Sequence, residues 1–314
     1  MTIKFVGTRG NTNHQNKAHR LHASVIIRSQ RVVVCIDTAD GKTVEEANEL
    51  LKHPNEHVAF FITHWHPDHI EGLEQLSPHI PLFAPLTEEV KNVKFSTKHV
   101  IELGNVTVTA FPVRHTKDHR IETRAYRIDS PAGIVVYAPD IFSWQSDSQR
   151  RRALKDATVY IGDGAHPTRD IGGEYWGHAS MLKQIRWVWE SNPNTAIVFT
   201  HFGDVVIKAG DMQILRKLKE KLGEEAMAKI ELARDGLLLG VGRSGLQEMR
   251  IDQALQVDLS RLDKVELLIL HLRCHQLYRA KNVSERTRKM VWILHQKLVQ
   301  EFRKRGIKHN SPLR

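Results

Sequence analysis

Cysteine is almost missing from this chain of 314 residues: only Cys35 and Cys274 occur, too few and too far apart for a disulfide framework. The fold must therefore rest on a hydrophobic core, and 36.0 kDa of polypeptide is enough to build one. No apolar run approaches the roughly 18 residues needed to span a bilayer, which excludes an integral helical membrane protein. Internal repeats and low-complexity stretches are missing too. The opening Met1-Thr-Ile-Lys-Phe-Val-Gly-Thr8 reads as a strand and a turn in place of a signal peptide. These absences point to a cytoplasmic globular protein with no membrane partner.

What is present is an ordinary globular balance, 41% hydrophobic with a mean hydropathy of −0.38. Short runs rich in Val, Ile, Phe and Thr predict strands over 2–6, 23–28, 31–36, 58–62, 106–113, 124–128, 134–138, 157–161, 196–200 and 237–241. Apolar spacing predicts helices over 43–52, 69–76, 179–191 and 211–221. Strands with interspersed helices make a layered α/β body over residues 1–250. Most strands run straight into Gly, Pro, Asp or His, so polar residues collect at strand ends, where α/β enzymes place their sites.

Residues 251–314 differ in character. Leu262, Val265, Leu268, Leu272 and Leu277, then Val291, Leu294, Leu298 and Phe302, recur at helical spacing and predict two amphipathic helices over 260–280 and 284–305. Of the net charge of +10, residues 279–314 carry +9 and everything before them +1. Such an extension is either a packed hairpin with a solvated face or a surface for phosphate backbones, and the charge asymmetry favours nucleic acid as the partner. Docking of another protein and closure of a homodimer stay open as uses of the same helices.

Nineteen histidines is a high count, and three of them fall with an aspartate in one short segment, His64-Trp-His66-Pro-Asp68-His69. In an extended loop after a strand, His64 and His66 point to the same side, so both imidazoles reach one ion. Pro67 suits the first turn of a helix, which swings Asp68 and His69 to a neighbouring point. Two divalent ions are the natural guests, and imidazole plus carboxylate without thiolate suits zinc, manganese or iron. Four residues cannot complete two ions. His115, Asp140 and His201 each follow a strand and are candidates for the remaining donors; His119 competes with His115, which follows its strand directly.

The segment His64–His69 resembles the His-x-His-x-Asp-His signature of the metallo-β-lactamase superfamily, and His115, Asp140 and His201 resemble its third, fourth and fifth motifs. Phe5-Val-Gly7-Thr8-Arg-Gly10 and Asp37 are similar to the family as well, so the likeness covers roughly residues 1–245. The resemblance implies a four-layer αββα sandwich with a site along one edge, here carrying a C-terminal helical appendage. It implies that His64, His66 and His115 hold one metal and Asp68, His69 and His201 the second. Asp140 then bridges the two, and Asp37 orients a ligand histidine. Histidine at 66, the pair Asp68-His69 and aspartate at 140 separate the chain from branches with glutamate, one metal or cysteine at those places.

Tyr160-Ile-Gly-Asp163-Gly-Ala-His166 and Gly177-His178-Ala-Ser180 resemble the phosphodiesterase side of the superfamily, the branch of tRNase Z and the cyclic-phosphate phosphodiesterases. That likeness implies that His178 protonates the leaving oxygen with Asp163 as its partner; the competing reading is that His178 caps the helix 179–191. His115 and Asp140 are only 25 residues apart, too close for the tRNA-binding arm of tRNase Z, and Asp140 and His201 are 61 apart, too close for a β-CASP domain. The expectation is a compact hydrolase with two divalent metal ions, zinc or manganese. It would act as a phosphodiesterase or nuclease on nucleic acid or nucleotide phosphodiesters through a metal-bound hydroxide, with Asp68 and His178 as catalytic residues. The alternatives are a small-molecule acyl hydrolase of lactonase or thioesterase type, using the same metals on a carbonyl, and a binding protein with a vestigial site.

Overall fold

A computed structural model describes the chain except residues 54–55, 87–93, 116–120, 174–175, 243–244, 249–258, 263–266, 268–269, 272–273, 275–277, 279–284 and 308–314. It forms two compact units: Met1–Leu237 with Val241–Leu246, and Leu238–Gly240 with Gln247–Arg314.

Two sheets organise the first unit. In one, β1 (Thr2–Gly7), β2 (Ser24–Ser29) and β3 (Val32–Ile36) form an antiparallel meander. After helix α1 (Lys42–Leu51), β4 (His57–Phe61) joins β3 in parallel, and β5 (Leu82–Phe83) joins β4 likewise. The helix α2 (Pro67–Ile70) lies between those last two strands in the chain. In the other sheet, β6 (Val100–Leu103), β7 (Val106–Arg114), β8 (Thr123–Ser130) and β9 (Gly133–Ala138) form a second antiparallel meander, with β10 (Ser143–Trp144) beside β7. Parallel strands continue it: β11 (Val159–Asp163) beside β9, then β14 (Ala196–Thr200) and β15 (Ile230–Leu232). A separate hairpin pairs β12 (Ile171–Gly172) with β13 (Gly177–His178). Helices α3 (Asp147–Leu154), α4 (Met181–Ser191), α5 (Asp204–Ala209), α6 (Asp211–Leu222) and α7 (Glu224–Met227) accompany the second sheet.

Strand β3 is apolar and buried throughout because both its faces are covered. Val33 and Cys35 pack with Val44, Ala47 and Leu50 of α1, and the alternation of a strand sends Val34 and Ile36 the other way. In β9, Val136 and Ala138 pack with Ala153, Leu154, Met181 and Ile185 of α3 and α4, leaving Val135 and Tyr137 to the opposite face. The two inward faces meet where Phe61 lies edge-on to Tyr126 with ring centroids 5.3 Å apart. There the Tyr126 hydroxyl donates to the Ile62 carbonyl at 2.6 Å. Helix, sheet, sheet, helix is the expected αββα order.

Local differences from the sequence expectation have local causes. The helix expected over 69–76 is instead the single turn of α2 followed by a 3-10 turn at Leu73–Gln75, because Gly72 takes a left-handed φ of 82° between them. Strand β11 starts two residues later than expected, since Asp156 sits at φ 55° and the Ala157 amide closes a turn onto Leu154. It ends two residues later because its parallel pairing with β14 carries on to Asp163 opposite Thr200. Helix α3 was illegible as apolar periodicity, being mostly polar. The Ser146 side chain starts it by accepting the Gln149 amide.

In the second unit, α8 (Glu285–Lys304) buries Val291, Leu294, Leu298 and Phe302, the expected positions, in a core with Leu259, Leu262, Leu267, Leu270 and Cys274. Val265, Leu268, Leu272 and Leu277 lie outside the described residues. Arg288, Lys289, Trp292, Lys297, Arg303 and Lys304 are exposed on α8. Arg305 is committed to the fold: its guanidinium donates to the carbonyls of Leu259, Ser260 and Leu262. Among the described residues, no helix is long and apolar enough to cross a membrane.

Candidate metal centre

Where β3 ends, Asp37 takes a left-handed φ of 62° and is fully buried. Its carboxylate accepts the Thr63 amide at 2.9 Å, the Thr63 hydroxyl at 3.0 Å and His69 Nδ1 at 3.0 Å. With Nδ1 held there, His69 presents Nε2 in the opposite direction, as a ligand ring oriented from behind does. β4 stops at Phe61, and three residues on His64 approaches His66, with Nε2 of one 2.8 Å from Nδ1 of the other. His66 is the N-cap of α2 and Pro67 its first residue, so Asp68 and His69 turn with the helix, as the sequence implies.

The second sheet brings single residues to the same place. His115 directly follows β7, Asp140 comes two residues after β9, Asp163 ends β11, and His201 directly follows β14 at φ 57°. Asp140 lies between them all. Its Oδ2 is 3.4 Å from His64 Nε2 and 3.5 Å from both His69 Nε2 and His201 Nε2. Its Oδ1 is 2.8 Å from His115 Nδ1 and 3.0 Å from His178 Nδ1. Asp68 Oδ2 is 3.3 Å from His69 Nε2 and 3.6 Å from His201 Nε2. Ligand atoms of His64, His66, His115 and Asp140 gather within 4.8 Å of one another, and those of Asp68, His69 and His201 form a second such group. All seven expected donors therefore meet at one place; His119 lies outside the described residues.

The residues fit divalent cations. His69 Nε2, His201 Nε2 and Asp68 Oδ1 are buried without a hydrogen-bond partner. Burying charged groups costs several kcal/mol each unless they are compensated, and cations at these groups would supply that compensation. The donors are all nitrogen and oxygen, which suits zinc and manganese alike. Burial and the neighbouring His69 push His64 well below the usual imidazole range, and burial pushes His66 down to about 4. Burial opposes the charge on Asp68, but His69 and His201 outweigh it and hold the carboxyl below its ordinary range. Asp140 is held low against burial by His115, His201 and His178. His69 goes the other way: Asp68 and Asp37 outweigh burial and hold it well above the usual range.

His178 stands at the edge of this cluster. Helix α4 is capped by Ser180, whose side chain accepts the Lys183 amide, so His178 does not cap it. Nδ1 of His178 lies 2.7 Å from Asp163 Oδ2, and Asp163 is pinned by the amides of Ile141 and Ala165. Asp163 and Asp140 outweigh burial and hold the His178 imidazole well above its usual range.

Sequence reading left Gly10 without a role. A Cβ there would meet the His201 ring at 3.0 Å. Gly10 donates its amide to the Phe202 carbonyl at 3.0 Å, and the Phe202 amide donates to Thr8 at 2.8 Å, so Thr8–Gly10 backs the loop that carries His201. The two glycines flanking Thr8-Arg9 were the available signal.

Residues 34–202 match the Beta-lactamase superfamily domain, a span that holds every donor named above. The curated proteins yield no match. Among solved structures, the chain is similar to the metallo-beta-lactamase fold protein YhfI from Bacillus subtilis, at 18% identity and a TM-score of 0.54 over 76% of this chain and 97% of that one. It is similar to human tRNase Z, short form, at 15% identity and a TM-score of 0.52 over 77% and 99%. It is also similar to an isothiocyanate hydrolase from Delia radicum gut bacteria, at 12% identity and a TM-score of 0.53 over 77% and 100%. At these identities the likeness is one of fold.

Proposed function

The chain belongs to the beta-lactamase superfamily, hydrolytic and metal-dependent in its main chemistry, and from that premise we propose that it is a dinuclear phosphodiesterase acting on nucleic acid or nucleotide phosphodiesters. The observation that carries this reading is His178, set 2.7 Å from a pinned Asp163 and 3.0 Å from the carboxylate shared by both donor groups. His64, His66 and His115 would hold one cation and Asp68, His69 and His201 the second, with Asp140 placed to serve either group. Zinc or manganese there would supply an acidified water and positive charge for the substrate oxygens. Asp37 keeps His69 turned to the centre. His178 delivers its proton to the leaving oxygen, a contribution of about 10²–10⁴-fold where that oxygen is a poor leaving group.

We assign this chemistry to residues 1–250 and take residues 251–314 as a basic module for a phosphate backbone, in a cytoplasmic protein. The exposed Arg288, Lys289, Lys297, Arg303 and Lys304 of α8 support it, with Trp292 among them. The deciding experiment is hydrolysis of bis(p-nitrophenyl) phosphate and of a lactone with added zinc or manganese, on wild type and Asp68→Ala. Phosphodiester turnover that disappears in the variant is expected. Turnover of the lactone alone overturns the reading in favour of an acyl hydrolase. For the basic module, affinity for labelled RNA should fall steeply with salt, and Lys289→Ala with Lys297→Ala should flatten the log–log slope by about 2.

A further inference from the structure

Trp176 has no place in the reaction as described, yet its position is built. The indole is 43% exposed, while Trp65 and Trp144 are buried. It directly precedes β13, where the Gly173 amide donates to the Trp176 carbonyl at 2.9 Å. A Cβ at Gly173 would stand 2.8 Å from Trp176 Nε1, so the ring in this position lies directly over Gly173. The neighbour on its other side is His178, with ring centroids 5.4 Å apart. His178 in turn has His115 at 5.1 Å and His201 at 5.4 Å. A large apolar ring is thus displayed to solvent one imidazole away from the metal ligands, on a glycine platform two residues from the proton donor.

Resting on the phosphodiesterase reading, we propose that Trp176 is the specificity-determining contact for the leaving group and stacks on the base of a departing nucleoside. In the hydrolysis, water oxygen bonds to phosphorus and releases a proton to solvent, the bond to the leaving oxygen breaks, and that oxygen takes its proton from His178, which solvent reprotonates. The group attached to that oxygen lies next to His178, and the indole is the exposed flat surface beside it. Base–aromatic stacking tolerates any base, because each has a π-face. Trp176 therefore selects for a nucleoside over an aliphatic alcohol and does not read sequence.

The test compares kcat/KM for a dinucleoside phosphodiester with that for the same nucleotide esterified to methanol, on the metal-loaded full chain. Wild type is expected to prefer the dinucleoside ester by about tenfold or more. Trp176→Ala is expected to collapse that preference, and Trp176→Phe, which keeps a smaller ring, to retain part of it, with metal content equal in all three. A wild type without preference, or a preference intact in Trp176→Ala, overturns the proposal. Should wild type hydrolyse neither ester, it is the phosphodiesterase reading that has failed. Calorimetric binding of a nucleoside 5′-monophosphate then decides the role of Trp176 alone. Tighter binding by wild type than by Trp176→Ala upholds the stacking contact, and equal or no binding overturns it.

Discussion

The two sheets furnish the centre in different ways. The first delivers His64, His66, Asp68 and His69 from one segment after β4, with Asp37 from the neighbouring strand end behind them. The second delivers one donor per strand end, from β7, β9 and β14. In the first set, residues one to five apart are brought together by local backbone, a loop followed by one helical turn. In the second, neighbours are fixed by register: Asp163 stands opposite Thr200, one residue before His201, only because β11 and β14 pair in parallel over their full length. Half of the centre is thus assembled locally, and the other half needs a finished sheet.

Substitutions can break this comparison, and Asp140 has the largest effect to offer. Coming from the second sheet but touching both donor groups, it should unite the halves. Asp140→Ala is expected to lower kcat by more than about 10⁴-fold and to leave less than one metal per chain by elemental analysis. Asp68→Ala, confined to one group, should keep one ion. Equal metal loss in the two variants would show that the groups are not separable. Next comes His178→Ala, expected to cost about 10²- to 10³-fold in kcat with the metal content unchanged; a parallel loss of metal would make His178 a ligand.

Asp37 sharpens the contrast from behind the first set. Asp37→Asn should weaken metal affinity about 10- to 100-fold, since His69 loses the partner that fixes its tautomer. Competition with a chromophoric chelator measures it. The smallest effect is a count of protons. His69 is held well above the usual imidazole range by Asp68 and Asp37, so near pH 7 the metal-free protein carries a proton that an incoming ion must displace. His66, at about 4, is already neutral there and releases none. Metal affinity should therefore rise with pH through neutrality. Calorimetry in buffers of different ionisation enthalpy should find at least about one proton released per chain loaded. No release would mean that Asp37 does not hold His69 charged.

The same division explains what could be read beforehand. The contiguous donors were legible because six consecutive positions carried the chemistry and Pro67 announced the helix. Asp140 and His201 were legible only as polar residues after apolar runs, and their convergence depended on pairing between distant strands. Gly10 escaped because its role is the space it leaves for His201, and no local pattern records an empty volume. Alternating apolar runs gave a layered α/β body, and the αββα order came from the resemblance carried by the His64–His69 segment. The helix over 69–76 failed since apolar spacing does not register the left-handed turn that Gly72 inserts.

Asp37 and His201 share a left-handed backbone, at φ 62° and 57°, which costs a residue with a side chain about 1 kcal/mol that glycine avoids. At both positions, the backbone and the side chain therefore place opposing demands on the sequence. At 37 the fold itself offsets the strain, because the buried carboxylate accepts the Thr63 amide and hydroxyl, which glycine would leave without that acceptor. At 201 no such bond offsets it: both ring nitrogens are buried without a hydrogen-bond partner, so the strained corner there suits a ligand and does nothing for the fold.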